Sequence, residues 1–145
     1  MVHDLYQEII LDHSKRPRNC HAMADATRQA DGYNPLCGDK LKLFVKVEND
    51  IVVDVSFVGS GCAISTASAS LMTESLKGKT RAEALKLLEK FHELLTTDSA
   101  VSQDLGKLVV FCGVRDYPAR VKCATLAWHT LKSALDNVTD PVTTE

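Results

Sequence analysis

Residues 40–58 limit what this chain can fold into more than any other stretch. Leu41, Leu43, Val45 and Val47 alternate with Lys40, Lys42, Lys46 and Glu48, the period-two pattern of a strand with one face buried and one in water. Residues 51–58 read as a second strand, and Glu48-Asn49-Asp50 between them reads as a hairpin turn. An antiparallel pair of this kind needs a second layer over its apolar face. The rest of the sequence offers helices for that layer.

Leu5, Ile9 and Ile10 recur at helical spacing within residues 2–13, and Pro17 ends that helix. Residues 16–36 hold Pro, Asn, Asp and Gly without periodicity and read as loop with one short edge strand. Gly59-Ser60-Gly61 breaks the second strand, and the small residues from Ala63 to Ser70 open a helix that ends near Gly78. Thr80, with Glu83 three positions on, can cap the next helix, whose apolar face carries Leu85, Leu88 and Leu95. Residues 96–117 are mixed, polar over 96–104 and apolar over 108–112, before Gly113 and Asp116. Pro118 suits the first turn of a last helix with a buried seam of Val121, Ala124, Trp128, Leu131 and Leu135. From Asn137 onward the tail reads as frayed. A chain of 145 residues with no linker or repeat is expected to form one α+β domain over residues 1–145, a small antiparallel sheet packed against several helices.

The formal net charge of −2 argues against a duplex nucleic acid as partner. No apolar run approaches the roughly 20 residues that span a bilayer, and MVHDLYQEI lacks a signal-peptide pattern. The expectation is a soluble, cytoplasmic protein with no membrane partner. In such a compartment the five cysteines, Cys20, Cys37, Cys62, Cys112 and Cys123, stay reduced. Their odd number also speaks against a disulfide scaffold.

Cys37-Gly38-Asp39 can turn a thiolate and a carboxylate toward one point, with glycine permitting the backbone angle required. That donor pair suits zinc or iron; alternatively Asp39 caps a turn and Cys37 packs beneath it. Cys62 follows a glycine-rich break and begins a helix, where the free N–H groups favour a thiolate; close packing of helix on sheet explains the same small residues. Cys123 lies on the last helix, offset from its seam, and Arg120 three residues earlier is on the same side. Arginine there favours the thiolate, although a helical cysteine also serves simply as core. Zinc fingers and thioredoxin-like motifs are excluded by the lack of any C-x-x-C pair. Three thiolates with Asp39 would form an S₃O shell acceptable to zinc. Cys20 and His21 fall in a loop, Cys112 in an apolar stretch, and His92 and His129 on helices facing solvent. His13 reads as structural or partner-docking, Trp128 as core, and Lys15-Arg16-Pro17-Arg18 as a solvated loop or a match for an acidic partner surface.

The stretches LYQEIILDHSKRPRN (5–19), NPLCGDKLKLFVKV (34–47), VSFVGSGCAIS (55–65), ESLKGKT (74–80) and PARVKCATLAWHTL (118–131) resemble the iron–sulfur cluster assembly proteins of the IscU/SufU/NifU N-terminal type. The likeness spans residues 5–136. It implies an α+β fold with a three-stranded antiparallel sheet, and a metal or cluster site at Cys37, Asp39, Cys62 and Cys123. Scaffold-type IscU proteins have a histidine before the last ligand cysteine, where this chain has Lys122, and a shorter interval between the second and third cysteines. Tyr117-Pro118-Ala119-Arg120-Val121-Lys122 matches their chaperone-binding Leu-Pro-Pro-Val-Lys motif only loosely. The long interval and Arg120-Val121-Lys122-Cys123 resemble SufU, which implies a zinc-dependent sulfurtransferase taking persulfide sulfur from a cysteine desulfurase. In that case Cys37 is the acceptor, Arg120 steers the anionic persulfide and Asp39 tunes the metal. Two alternatives use the same residues. One is a scaffold holding iron or a transient [2Fe–2S] cluster and serving downstream iron–sulfur assembly proteins; the other is a purely structural zinc module.

Overall fold

A computed structural model describes residues 2–35, 37–96, 103–136 and 142–143. In chain order it has α1 (Val2–Lys15), β1 (Arg28–Asn34), β2 (Asp39–Glu48), β3 (Ile51–Ser60), α2 (Ala63–Leu76), α3 (Arg81–Thr96), a 3₁₀ segment (Gln103–Asp116), α4 (Pro118–Leu135) and β4 (Val142–Thr143). The fold is the expected α+β arrangement of an antiparallel β3-β2-β1 sheet with helices against it.

The alternation in β2 does what its period dictates. Asp39, Leu41, Leu43 and Val45 are buried, while Lys40 and Lys42 are exposed. The β2–β3 hairpin turns at Asn49 and Asp50, whose φ of 52° and 64° are the left-handed pair of a type I′ turn. In β1 the inward positions are Ala30, Gly32 and Asn34. A Cβ on Gly32 would collide with Thr130 Oγ1 of α4, so glycine is what lets that helix lie directly on the sheet.

α2 and α4 pack on each other and on the sheet, and α1 packs on α2. The α2–α4 contact is close because α2 carries small residues: Ser68 Oγ donates to the Ala124 carbonyl at 2.6 Å, and Trp128 Nε1 donates to Ser68 Oγ at 3.1 Å. Phe91 of α3 stacks on Trp128 with centroids 4.6 Å apart and meets the edge of Phe111 at 5.6 Å. This aromatic trio joins α3, the 3₁₀ segment and α4 in the core. The Thr80–Glu83 capping box forms as expected, with Thr80 N–H donating to Glu83 Oε1 and Glu83 N–H to Thr80 Oγ1. Among the described residues no helix is long and apolar enough to cross a membrane.

Several expectations need correction. β3 runs through Gly59 to Ser60 instead of breaking there. A Cβ on Gly59 would meet the Lys40 carbonyl, so the glycine serves close pairing. Val142–Thr143 pairs in parallel with Gly32–Tyr33, adding a two-residue fourth strand to the expected three. The remainder of the tail read as frayed, residues 137–141 and 144–145, lies outside the described residues, as does the polar stretch 97–102. Residues 103–116 form 3₁₀ turns interrupted at Gly106, where φ is 55°. His129 is half-buried beside His92, with ring centroids 6.1 Å apart, and only His92 is exposed.

Candidate metal centre

One end of the sheet collects the residues with ligand chemistry. β1 ends at Asn34 and β2 begins at Asp39, and these two are partners in the antiparallel register. The short connection between them closes on the Asn34 carbonyl, which accepts from Cys37 N–H at 3.3 Å. Gly38 adopts φ of 70°, a conformation that costs other residues, and so lets Cys37 and Asp39 turn toward the same point. Asp39 lies on the strand face that carries Leu41 and Leu43, toward the helices, and is 1% exposed.

α2 and α4 complete the arrangement. Cys62 is the N-cap of α2, with φ −71° and ψ 168°, and its sulfur accepts from Ser65 N–H at 3.4 Å. Its own N–H donates to Asp39 Oδ1 at 2.8 Å, while Asn34 Nδ2 donates to Asp39 Oδ2 at 3.2 Å. Cys123 of α4 is fully buried, with its sulfur 3.1 Å from that of half-buried Cys37 and 3.4 Å from Asn34 Nδ2. Cys123, offset from the expected seam, is nonetheless part of the buried face of α4. α4 is buried from Cys123 through Trp128 because the sheet and α2 both cover it, and a single apolar seam understates that.

Burial pushes the Cys123 thiol far above the ordinary cysteine range, and the neighbouring Cys37, Cys62 and Asp39 push the same way. Its proton stays on the sulfur while no cation is near. Arg120 is exposed on the first turns of α4, and its hydrogen bond to Cys123, with the charges of Cys62 and Cys37, raises its already high pKa.

Donor atoms of Cys37, Asp39 and Cys123 all lie within 4.8 Å of one another. Two sulfurs and a buried carboxylate oxygen at that spacing fit the ligand chemistry of zinc and of iron. The Cys62 sulfur stands outside this group, turned onto its own helix cap. The other candidates are elsewhere. Cys20 is exposed in an isolated bridge to Phe57, Cys112 packs half-buried on the core, and His21 is exposed. His13 is buried between α1 and α2, with Nδ1 2.7 Å from Ser70 Oγ and Nε2 3.6 Å from Glu74. Of the basic cluster, Arg18 is tied to Asp12 at 2.7 Å.

Two residues around the site have no counterpart among the expected ones. Asn34 reads in sequence as a turn residue before Pro35; its inward position on β1 is the only signal. Gly61 reads as a strand breaker, yet a Cβ there would stand 2.6 Å from Asp39 Oδ1.

Comparison with known proteins identifies the family. The NifU-like N terminal domain matches residues 5–124. The chain is 41% identical over 135 residues to the iron–sulfur cluster assembly scaffold protein IscU of Streptococcus pyogenes, spanning 92% of this chain and 84% of that protein. It is 42% identical over 132 residues to the zinc-dependent sulfurtransferase SufU of Bacillus subtilis, spanning 90% and 89%. Among solved structures, a candidate iron–sulfur cluster assembly scaffold of the SUF system from Fervidobacterium islandicum superposes with a TM-score of 0.83 at 38% identity, covering 92% of this chain and 98% of that one. Sequence and fold thus lead to one conclusion: this chain belongs to the NifU-like N-terminal domain family.

Proposed function

We propose that this chain serves iron–sulfur cluster assembly as a zinc-dependent sulfur relay, accepting persulfide sulfur from a cysteine desulfurase. The observation that carries this reading is the meeting of Cys37, Cys123 and buried Asp39 within 4.8 Å, next to an exposed arginine. The likeness to a protein named as a zinc-dependent sulfurtransferase supports it, as does Lys122 in place of a histidine before Cys123. Cys37, Asp39 and Cys123, with Cys62 as fourth donor, would hold the zinc. Bound there, zinc keeps the thiols deprotonated and guards them from oxidation.

The protein's own residues then have separate tasks. Cys37 is the acceptor, because its loop position leaves it half-exposed while Cys123 is sealed in. Its thiolate attacks the outer sulfur of the partner's persulfide, R–S–SH. A new bond forms between Cys37 and that sulfur, the S–S bond to the partner breaks, and its electron pair leaves on the partner's cysteine as R–S⁻. Cys37 departs as Cys–S–SH, with no net oxidation or reduction of the pair. The Arg120 guanidinium, exposed beside the thiols, attracts the anionic persulfide as it arrives. Asp39 is held by Cys62 N–H and Asn34 Nδ2, which fixes the carboxylate against the two sulfurs.

A second reading is a scaffold on which a [2Fe–2S] cluster is built, and the name of the 41%-identical Streptococcus pyogenes relative favours it. One experiment separates the two. Metal content is measured on protein purified in air, and desulfurase turnover is followed with wild type and Cys37→Ala. Stoichiometric zinc, strong stimulation by wild type and none by the variant are expected, with one added sulfur atom on intact wild-type chain by mass spectrometry. Full stimulation by Cys37→Ala overturns the acceptor assignment. Little zinc, with an oxygen-labile chromophore after anaerobic reconstitution, favours the scaffold.

A further inference from the structure

Asn34 is wholly buried, yet among the described residues its Oδ1 has no hydrogen-bond partner. A buried acceptor left unmade is costly, so its retention calls for a reason at the other end of the amide. That end is fully engaged. Nδ2 donates to Asp39 Oδ2 at 3.2 Å and to Cys123 Sγ at 3.4 Å. The reversed amide would set Oδ1 against the Asp39 carboxylate oxygen, an acceptor facing an acceptor, so the Asp39 contact fixes the orientation.

The two NH₂ hydrogens therefore span two elements. One holds a residue at the start of β2; the other holds a residue of α4, 89 positions along the chain. Backbone geometry supports the placement. Asn34 precedes Pro35, which favours extended backbone, and faces Asp39 in register, so its side chain shares the inward face with the carboxylate. With Cys62 N–H on Oδ1, both oxygens of Asp39 have a donor.

We infer that Asn34 is a positioning residue of the metal centre, its amide fixing Asp39 and Cys123 as a preset pair of donors for a divalent soft-to-borderline cation such as zinc. This rests on the ligand set proposed above. The amide supports the outer lone pairs of both donors and leaves them less free to turn away when no ion is held. Groups in this role commonly change metal affinity 10–100-fold when removed.

The test uses the full chain with Asn34→Leu, nearly isosteric and without donors, and Asn34→Ala. Both keep the backbone bond from Cys37 N–H to the residue 34 carbonyl, so the loop itself is not the target. Zinc affinity is read by competition with a chromophoric chelator, and the cobalt-substituted proteins by their thiolate-to-cobalt absorption. Expected are folded variants that bind zinc 10–100-fold more weakly, with altered cobalt bands. Wild-type affinity and unchanged bands in the variants overturn the inference while leaving the ligand set standing if Cys123→Ala still abolishes binding. Wild-type chain that takes up no zinc overturns both. A measurement without any variant backs these up: in ¹⁵N-labelled wild type the Asn34 side-chain amide signals shift on zinc addition, and signals that stay in place refute the role.

Discussion

Replacing Gly61 by alanine tests how tightly Asp39 is seated. The added Cβ would stand 2.6 Å from Asp39 Oδ1, 3.1 Å from Cγ and 3.2 Å from Cβ, so something must move. Asp39 has little room: it is 1% exposed, and both its oxygens hold donors. Turning it away strips Oδ1 from Cys62 N–H, a hydrogen bond to a charged group worth about 1.5–3 kcal/mol. Gly61 does not sit at positive φ, so alanine also restricts the unfolded chain and returns about 0.4–1 kcal/mol. The net cost is about 1–2 kcal/mol, which for a chain of this length lowers the melting temperature by about 2–8 °C. Zinc affinity should fall as well, because the carboxylate leaves its place beside the sulfurs. Scanning fluorimetry on metal-free protein and chelator competition measure the two effects. Gly113→Ala is the control: among the described residues nothing lies within 4 Å of its added Cβ, so it should be neutral or slightly stabilising. A Gly61→Ala protein that melts at or above wild type and binds zinc equally well refutes the reasoning.

His13 and His129 are both held below the usual histidine pKa, first by burial, then by Arg18 for His13 and by His92 for His129. The unfolded chain therefore binds these protons first: stability is complete above about pH 6.5 and declines as pH falls through that value toward the folded pKa values. Urea midpoints of metal-free protein on either side of this range should show the decline, smaller in His13→Gln/His129→Gln; an equal decline rejects the assignment. Zinc at roughly 100 times its dissociation constant should stabilise wild type by about 2.7 kcal/mol in thermal melts, and Cys123→Ala should lose that gain. An undiminished shift in the variant would place the ion elsewhere.

What the amino-acid order discloses depends on how local the determining physics is. The β2–β3 hairpin is legible because alternation and an Asn-Asp turn lie within one short stretch, and both turn residues take the left-handed φ that such a turn demands. The Thr80–Glu83 cap is legible for the same reason. The 3₁₀ segment is not, since it carries no 3.6 period and is interrupted at Gly106. β4 depends on a parallel neighbour more than a hundred positions away, to which no local signal points. At the site, Cys37, Asp39 and Cys123 are legible as motif residues, but their meeting is a product of tertiary packing. Asn34 escapes because an asparagine before proline also fits an ordinary turn, and only the strand register turns its amide inward.

The closeness of Cys37 and Cys123 has a consequence in time as well as in space. The two are 86 positions apart in the chain. At a synthesis rate of about 5–20 residues per second, Cys37 leaves the ribosome roughly 4–17 s before its counterpart. Through that window no thiol of α4 exists to face it, and the loop that carries it is open to oxidants and stray ions. A partner that bound the emerging β1–β2 hairpin would meet, of the proposed ligands, only Cys37 and Asp39. A complete sulfur pair is therefore a sign that the last helix has docked, and a chain cut short before α4 would present neither the buried thiol nor the enclosure around Asp39.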